Sequence, residues 1–438
     1  MSDTAVIELV DSEILASGAD GRLVKDPGYA LLGAAGIDTG EVAYHQAWLQ
    51  PQHSFNQFWQ RLSLAPLTGS NRFARHYADL AYAQLSHLHR QLDKPGEILF
   101  AIPGSFSRDQ LAILLGLANA LPVKPVGLVD TAVAVASSLD GVDLSSPQDE
   151  VLYLDIQLHQ AVLTRLQGGS EVSRLAVEVL PDTGLHHFYT GWAQYIANLF
   201  IREYRYDPLH TAAGEQQLFS MLPGVLSALI AHPETSLELA TPQGNFHLGL
   251  QRSTLLESSL PRIGRLRDLI TRLAVNGPVV GSHRLGKLPG LDTLLNVRLL
   301  DEGQTIDACR RALTEIHSES DGGVSFVTRL PRLTPAATGQ APPPVAATAQ
   351  VSRPTHLLHG HRAWPLGSEV GVEIREGAVL FRRDSQAPLL LRTANGRTWL
   401  AHSRYPVEVE GSRDDLRSGD LLRIEGHELR LIEAARES

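Results

Sequence analysis

Three aspartates in this 438-residue chain stand where a carboxylate can redirect the backbone. Asp11 in IELVDSEILAS and Asp155 in LYLDIQLHQAV each close an apolar run, where an acid can cap the turn that follows. Asp130 in LVDTAVAV precedes Thr131 and an alanine-rich stretch, the place of a helix N-cap. His159, His186 and His187 share no helical spacing such as i, i+4. Among eighteen histidines such neighbours arise by accident, so no metal centre is expected from them. Cys309 is the only thiol, which excludes an internal disulfide or a multi-thiolate metal site and marks a buried apolar position.

The composition, 43% hydrophobic and 20% charged, is that of a folded protein of two or three domains. Net charge is −10, and four lysines accompany thirty-four arginines with no polybasic cluster, so neither nucleic acid nor acidic lipid is an expected partner. There is no run of eighteen apolar residues, and MSDTAVIELVD lacks a basic n-region and a cleavable apolar core. The expectation is a cytoplasmic protein with no membrane span.

The residues that could do chemistry need strands and helices to hold them. AVIELVD, EILFAIP and VLYLDI read as buried strands, with a shorter strand in PVKPVGLVD. SRDQLAILLGLANAL has Ser107 and Gln110 in capping-box spacing, TAVAVASSL restarts a helix, and LHHFYTGWAQYIANLFIREY is amphipathic with its aromatic residues inward. TLLESSLPRIGRLRDLITRLA reads as one further amphipathic helix. Pro331 to Pro354 holds six prolines, no aromatic residue and no acid, and reads as a partly extended tether. Beyond it, short period-two runs separated by turn residues predict a small β-sandwich, with Asn395-Gly396, Gly411, Ser418-Gly419-Asp420 and Gly426 at the turns.

Ile98 to Ser137, ILFAIPGSFSRDQLAILLGLANALPVKPVGLVDTAVAVAS, resembles the nucleotide-binding domain of the 70-kDa heat-shock chaperones within the actin-like ATPase superfamily. VLYLDIQLHQAVLTRL resembles that family's second phosphate-binding hairpin, and DTGLHHFYTGWAQYIANLFIREY the helix entry after it. LLESSLPRIGRLRDLITRLAVNGPVVGSHRLGKLPGLDTLL is similar to the helix leading to its adenosine turn. The order holds from Ala5 to about Pro331. The resemblance implies an α/β fold: a two-lobed, ribonuclease H-like duplicated body with lobes at 1–150 and 151–330, a linker at 331–354 and a sandwich at 355–438. That last segment resembles a forkhead-associated domain, on WPLG and LRSGDLLRIEGHELRLI.

Residue by residue, the resemblance puts Asp11 and Asp155 at the magnesium-holding positions of the two hairpins, through water. Asp130 falls at the water-positioning acid, and Gly281, Ser282 and Arg284 at the adenosine turn. Arg284 would either stack on adenine or make an ordinary salt bridge. Phosphate cradling needs glycines, because a side chain would take the phosphate's place. Here Ser12 and Glu13 stand in the first turn and Gln157, Leu158 and His159 in the second, while Lys25 and Lys94 are out of place for the family's catalytic lysine. Met221, Pro223 and Gly224 replace the charged contacts of the adenine-facing helix. The expectation is therefore a pseudo-ATPase that requires no cofactor and recruits a protein partner through its β-domain. In the forkhead-associated class phosphothreonine is read by an early Gly-Arg and a later Ser-x-x-His, which this segment lacks, so plain protein docking is expected. The alternatives are a slow ATPase using ATP or ADP with magnesium, or a chaperone.

Overall fold

Apolar runs bounded by turns become the strands that carry the aspartates. The computed structural model describes residues 4–241, 243–273, 277–317, 324–333, 354–359, 362–375, 378–394, 397–410, 416–417, 420–425 and 427–432. Two compact units result, Met1–Gly339 and Gln340–Ser438.

The first unit is mixed α/β. Its first sheet has six strands in the order Phe326–Val327, Lys124–Asp130, Glu97–Ile102, Thr4–Glu8, Ile14–Ser17, Leu23–Asp26. The first four are parallel and the last three form an antiparallel meander that shares Thr4–Glu8. The second sheet runs Val297–Leu299, Val279–Gly281, Glu150–Ile156, Gln160–Gln167, Glu171–Pro181, Arg329–Pro331. Here Glu150–Ile156 again joins parallel strands on one side to an antiparallel meander on the other. The same plan is thus built twice, and near the end of this unit the chain returns to both sheets through 326–327 and 329–331.

Helix Thr131–Ser137 is buried along its whole length. With helix Gln304–Arg311 it shares one core with residues of both sheets, including Val6, Leu99, Val151 and Tyr153, and Cys309 lies in that core as the sequence indicated. Small side chains allow this close approach, since a bulkier helix could not enter between the sheets. Helix Arg108–Asn119 begins at the expected capping box, with the Ser107 hydroxyl accepting from Gln110 N at 3.2 Å and Gln110 Oε1 accepting from Ser107 N at 2.8 Å. The amphipathic segment read as one helix is two, Arg252–Ser258 and Leu260–Arg272, broken at Ser259. Pro261 explains the break: proline has no N–H to continue the ladder but suits the first turn of a new helix.

The second unit has two all-antiparallel sheets, ordered Arg362–Pro365, His356–His359, His427–Ile432, Leu421–Ile424, Val407–Glu410 and Ala378–Arg382, Glu369–Arg375, Leu389–Ala394, Arg397–Ser403. Leu357, Leu429 and Leu431 of one sheet share a core with Val370, Val372 and Leu391 of the other. The turn residues Asn395, Gly396, Gly411, Ser418, Gly419 and Gly426 lie outside the described residues, as does most of the proline-rich segment.

Candidate functional site

Two hairpin tips meet in the first unit, one between Thr4–Glu8 and Ile14–Ser17, the other between Glu150–Ile156 and Gln160–Gln167. Asp11 sits on the first tip, and its carboxylate accepts from Leu158 N on the second at 2.8 Å. The Ser12 hydroxyl donates to Ile156 O at 2.5 Å. The tips are therefore stitched to each other. Beside Asp11 lies a cavity of only about 20 Å³, bordered by Leu9, Trp59, Gln157 and Gln160. A space of that size holds roughly one water.

Helix Leu185–Tyr204 starts against the second tip, with Leu185 N donating to Gln157 O at 2.8 Å and His186 N to Leu158 O at 2.9 Å. Helix N-terminal amides have no partner within their own helix and are the usual anion binders. Here backbone carbonyls occupy two of them. Gly184 makes the approach possible, since a Cβ there would lie 2.3 Å from Leu158 O.

Arg284 is fully buried and reaches the first sheet. Its Nη1 donates to Glu8 Oε1 at 3.0 Å, and its Nε and Nη2 donate to Glu13 O at 2.9 and 2.7 Å. Asp155 Oδ1 lies 3.9 Å from the same guanidinium. Arg284 thus makes a buried salt bridge with Glu8. Glu8, an acid inside the buried run AVIELVD, is the residue the sequence reading missed; a carboxylate in a strand buried on both faces was itself the signal that a cation must face it. Burial would raise the Glu8 carboxyl, but the Arg284 charge and hydrogen bond outweigh it and hold it below the ordinary value.

Asp155 is buried, and among the described residues neither carboxylate oxygen completes a hydrogen bond, although Ser282 lies near enough to favour its ionised form. Burial raises its pKa; Arg284 opposes this and the like charge of Glu8 adds to it. Asp11 is pushed up to about 6 by burial, against the Leu158 hydrogen bond and with help from the Asp155 charge. Gly281 lacks a side chain for a packing reason, as a Cβ would lie 2.7 Å from Val297 Cγ1, and Ser282 N donates to Leu154 O.

Glu13 faces two basic side chains of the following segment. His283 Nε2 lies 3.2 Å and Lys287 Nζ 2.6 Å from its two oxygens. Burial would raise Glu13, but these partners bring it down to about 2. Asp130 caps helix Thr131–Ser137 by accepting from Ala132 N at 2.9 Å, and its other oxygen accepts from Arg174 at 2.6 Å. Burial raises it despite that arginine. No pattern in SRLAVEV marked Arg174 for this role.

The three histidines do come together, with ring centroids 5.0 to 5.7 Å apart, because the second tip rests on the helix start. Burial lowers His159 to about 3 and His186 to about 4, so both are neutral at pH 7. Among the described residues the one group with converging metal-ligand atoms is Glu13, His283 and Glu302, all within 4.8 Å. Lysines already hold both acids, Lys287 on Glu13 and Lys25 on Glu302 at 2.5 Å.

Adjoining the tips is a second, much larger cavity of about 820 Å³, reached by Ser12, Glu13 and Lys287 on one side and by Tyr44, Trp48 and Phe219 on the other. Among the described residues no helix is long and apolar enough to cross a membrane. No protein-family model matches the chain, and no curated protein matches it.

Proposed function

We propose that the first unit is a non-hydrolysing, actin-like body of the 70-kDa heat-shock chaperone type. It acts in the cytoplasm as an adaptor or assembly factor whose C-terminal, forkhead-associated-like sandwich recruits a protein partner. The repeated sheet plan, with the buried helix Thr131–Ser137 and the inner face of helix Gln304–Arg311 in one core with both sheets, supports the duplicated architecture that the resemblance implies. The observation that carries the functional reading is the closure of the hairpins. The amides of Leu158, Leu185 and His186 are bonded to protein, and the room beside Asp11 is that of a single water. A triphosphate needs those donors and that space, and it would also face the buried carboxylates of Glu8, Asp11 and Asp155. Arg284, Lys287 and Lys25 neutralise acids of the protein, which leaves them unavailable to developing phosphoryl charge.

On the second unit, Trp364 and Leu380 are each 39% exposed, and the Trp364 ring stacks on Phe381 at 5.7 Å. Exposed aromatic residues of this kind favour protein docking.

A second reading keeps the slow magnesium-dependent ATPase, and one observation favours it: the Asp155 charge adds to the cost of ionising Asp11, and Asp155 has oxygens to spare. Thermal unfolding with ATP or ADP and magnesium separates the two. A ligand at a hundred times its dissociation constant adds about 2.7 kcal/mol. The adaptor reading expects no shift and phosphate release at background; a magnesium-dependent shift with turnover replaces it by the ATPase. Binding of extended apolar peptides by the full chain would instead favour the chaperone alternative.

A further inference from the structure

We propose that the large cavity beside the hairpins binds an organic cation with a flat apolar body, such as a protonated aryl amine or an aryl quaternary ammonium. The inference goes beyond the adaptor reading and stands whether or not the hairpins are closed to phosphate.

The volume of about 820 Å³ suits such a ligand, since small-molecule pockets run roughly 300–1,000 Å³. Tyr29, Tyr44, Trp48, Tyr189 and Phe219 line it. Trp48 is central to this wall, stacked on Phe219 at 4.1 Å and edge-on to Tyr44 at 5.3 Å. Aromatic faces are electronegative and attract a cation that passes over them.

The charges point the same way. Two lysines and four carboxylates line the cavity. Lys287 and Lys25 are engaged by Glu13 and Glu302, which leaves Asp26 and Glu41. Among the described residues neither meets a lysine or arginine, and Glu41 has only His45 Nε2 at 3.5 Å. Asp26 is 2% exposed and accepts from Gln84 Nε2 at 2.7 Å. Burial raises its carboxyl against the Gln84 hydrogen bond, the His87 charge and the Glu41 amide, and the like charge of Glu41 adds a smaller push in the same direction as burial. A bound cation relieves this repulsion, whereas an anion increases it.

The probes are thioflavin T, a flat monocation, and anilinonaphthalene sulfonate, an anion of comparable size, each titrated by fluorescence into the full chain. We expect one saturable thioflavin site, at least about tenfold tighter than the sulfonate, or about 1.4 kcal/mol. Glu41→Gln, at an exposed position, weakens thioflavin several-fold, and so does raising salt from about 0.05 to about 0.5 M. Ser227→Trp, on the exposed face of helix Ala212–Ala231 where it borders the cavity, abolishes binding without moving the melting temperature. The proposal is overturned if thioflavin does not bind, if the sulfonate binds as tightly, or if both variants leave thioflavin binding unchanged.

Discussion

Replacing Arg284 by methionine keeps most of the side chain's apolar stem and removes the charge that faces Glu8 and Asp155. Glu8 and Arg284 side chains are 1% and 0% exposed, so solvent cannot take over the neutralisation. Breaking a buried pair from one side costs about 3–5 kcal/mol. For a 339-residue unit, with an unfolding entropy of about 2.1 cal/mol/K per residue, the melting temperature falls by about 4–7 °C. Urea unfolding followed by circular dichroism gives the free energy, and Glu8→Gln and the double variant complete a cycle. The double variant should recover at least about 1.5 kcal/mol relative to the sum of the singles, because it leaves no orphaned charge on Glu8. The pH dependence checks the cause. With Arg284 present, Glu8 is depressed, so its contribution is complete above its unfolded value of 4.5 and is lost as pH falls through the folded value. Without Arg284, burial raises Glu8, and the deficit of the variant should shrink between pH 7 and 4.5. A single-variant loss below about 1 kcal/mol, or strict additivity in the cycle, would refute the argument that this guanidinium is the counter-charge of the buried acids.

Asp11→Asn should stabilise the protein at pH 7.5, by on the order of 2–3 kcal/mol, because the folded carboxyl at about 6 lies above its ordinary value of 3.8 and pays for ionisation as pH rises through that window; the gain should vanish below about pH 4, and a stability curve against pH reads it directly. Asp130→Ala should cost about 1–3 kcal/mol through loss of the helix cap and of the Arg174 partner, with phosphate release unchanged from background.

Local signals in the sequence translated well into structure. Ser107 and Gln110 are three residues apart and form their capping box between themselves, and Asp130 caps the helix it precedes. The strand runs were legible because burial on both faces demands unbroken apolar residues. Pro261 was visible too, but the amphipathic period continues across it and hid the break at Ser259. What escaped is what joins distant segments. Glu8 and Arg284 are 276 residues apart, and Asp11 and Leu158 are 147 apart. The histidine cluster escaped for the same reason, since an i, i+4 test sees one helix and not a hairpin tip resting on another. The large cavity collects residues from across the first unit, and no spacing rule announces a wall of that kind.

The tie between Arg284 and the first hairpin also sets a schedule for synthesis. Glu8 leaves the ribosome long before its counter-charge, and at about 5–20 residues per second the wait for 276 residues is roughly 14–55 s. Strand Phe326–Val327, which closes the edge of that same sheet, emerges later still. The nascent N-terminal segment must therefore stay unfinished, with a hydrated Glu8 and an open sheet edge, until nearly the whole first unit has been translated. Ribosome-bound chains ending before residue 284 should accordingly remain sensitive to protease.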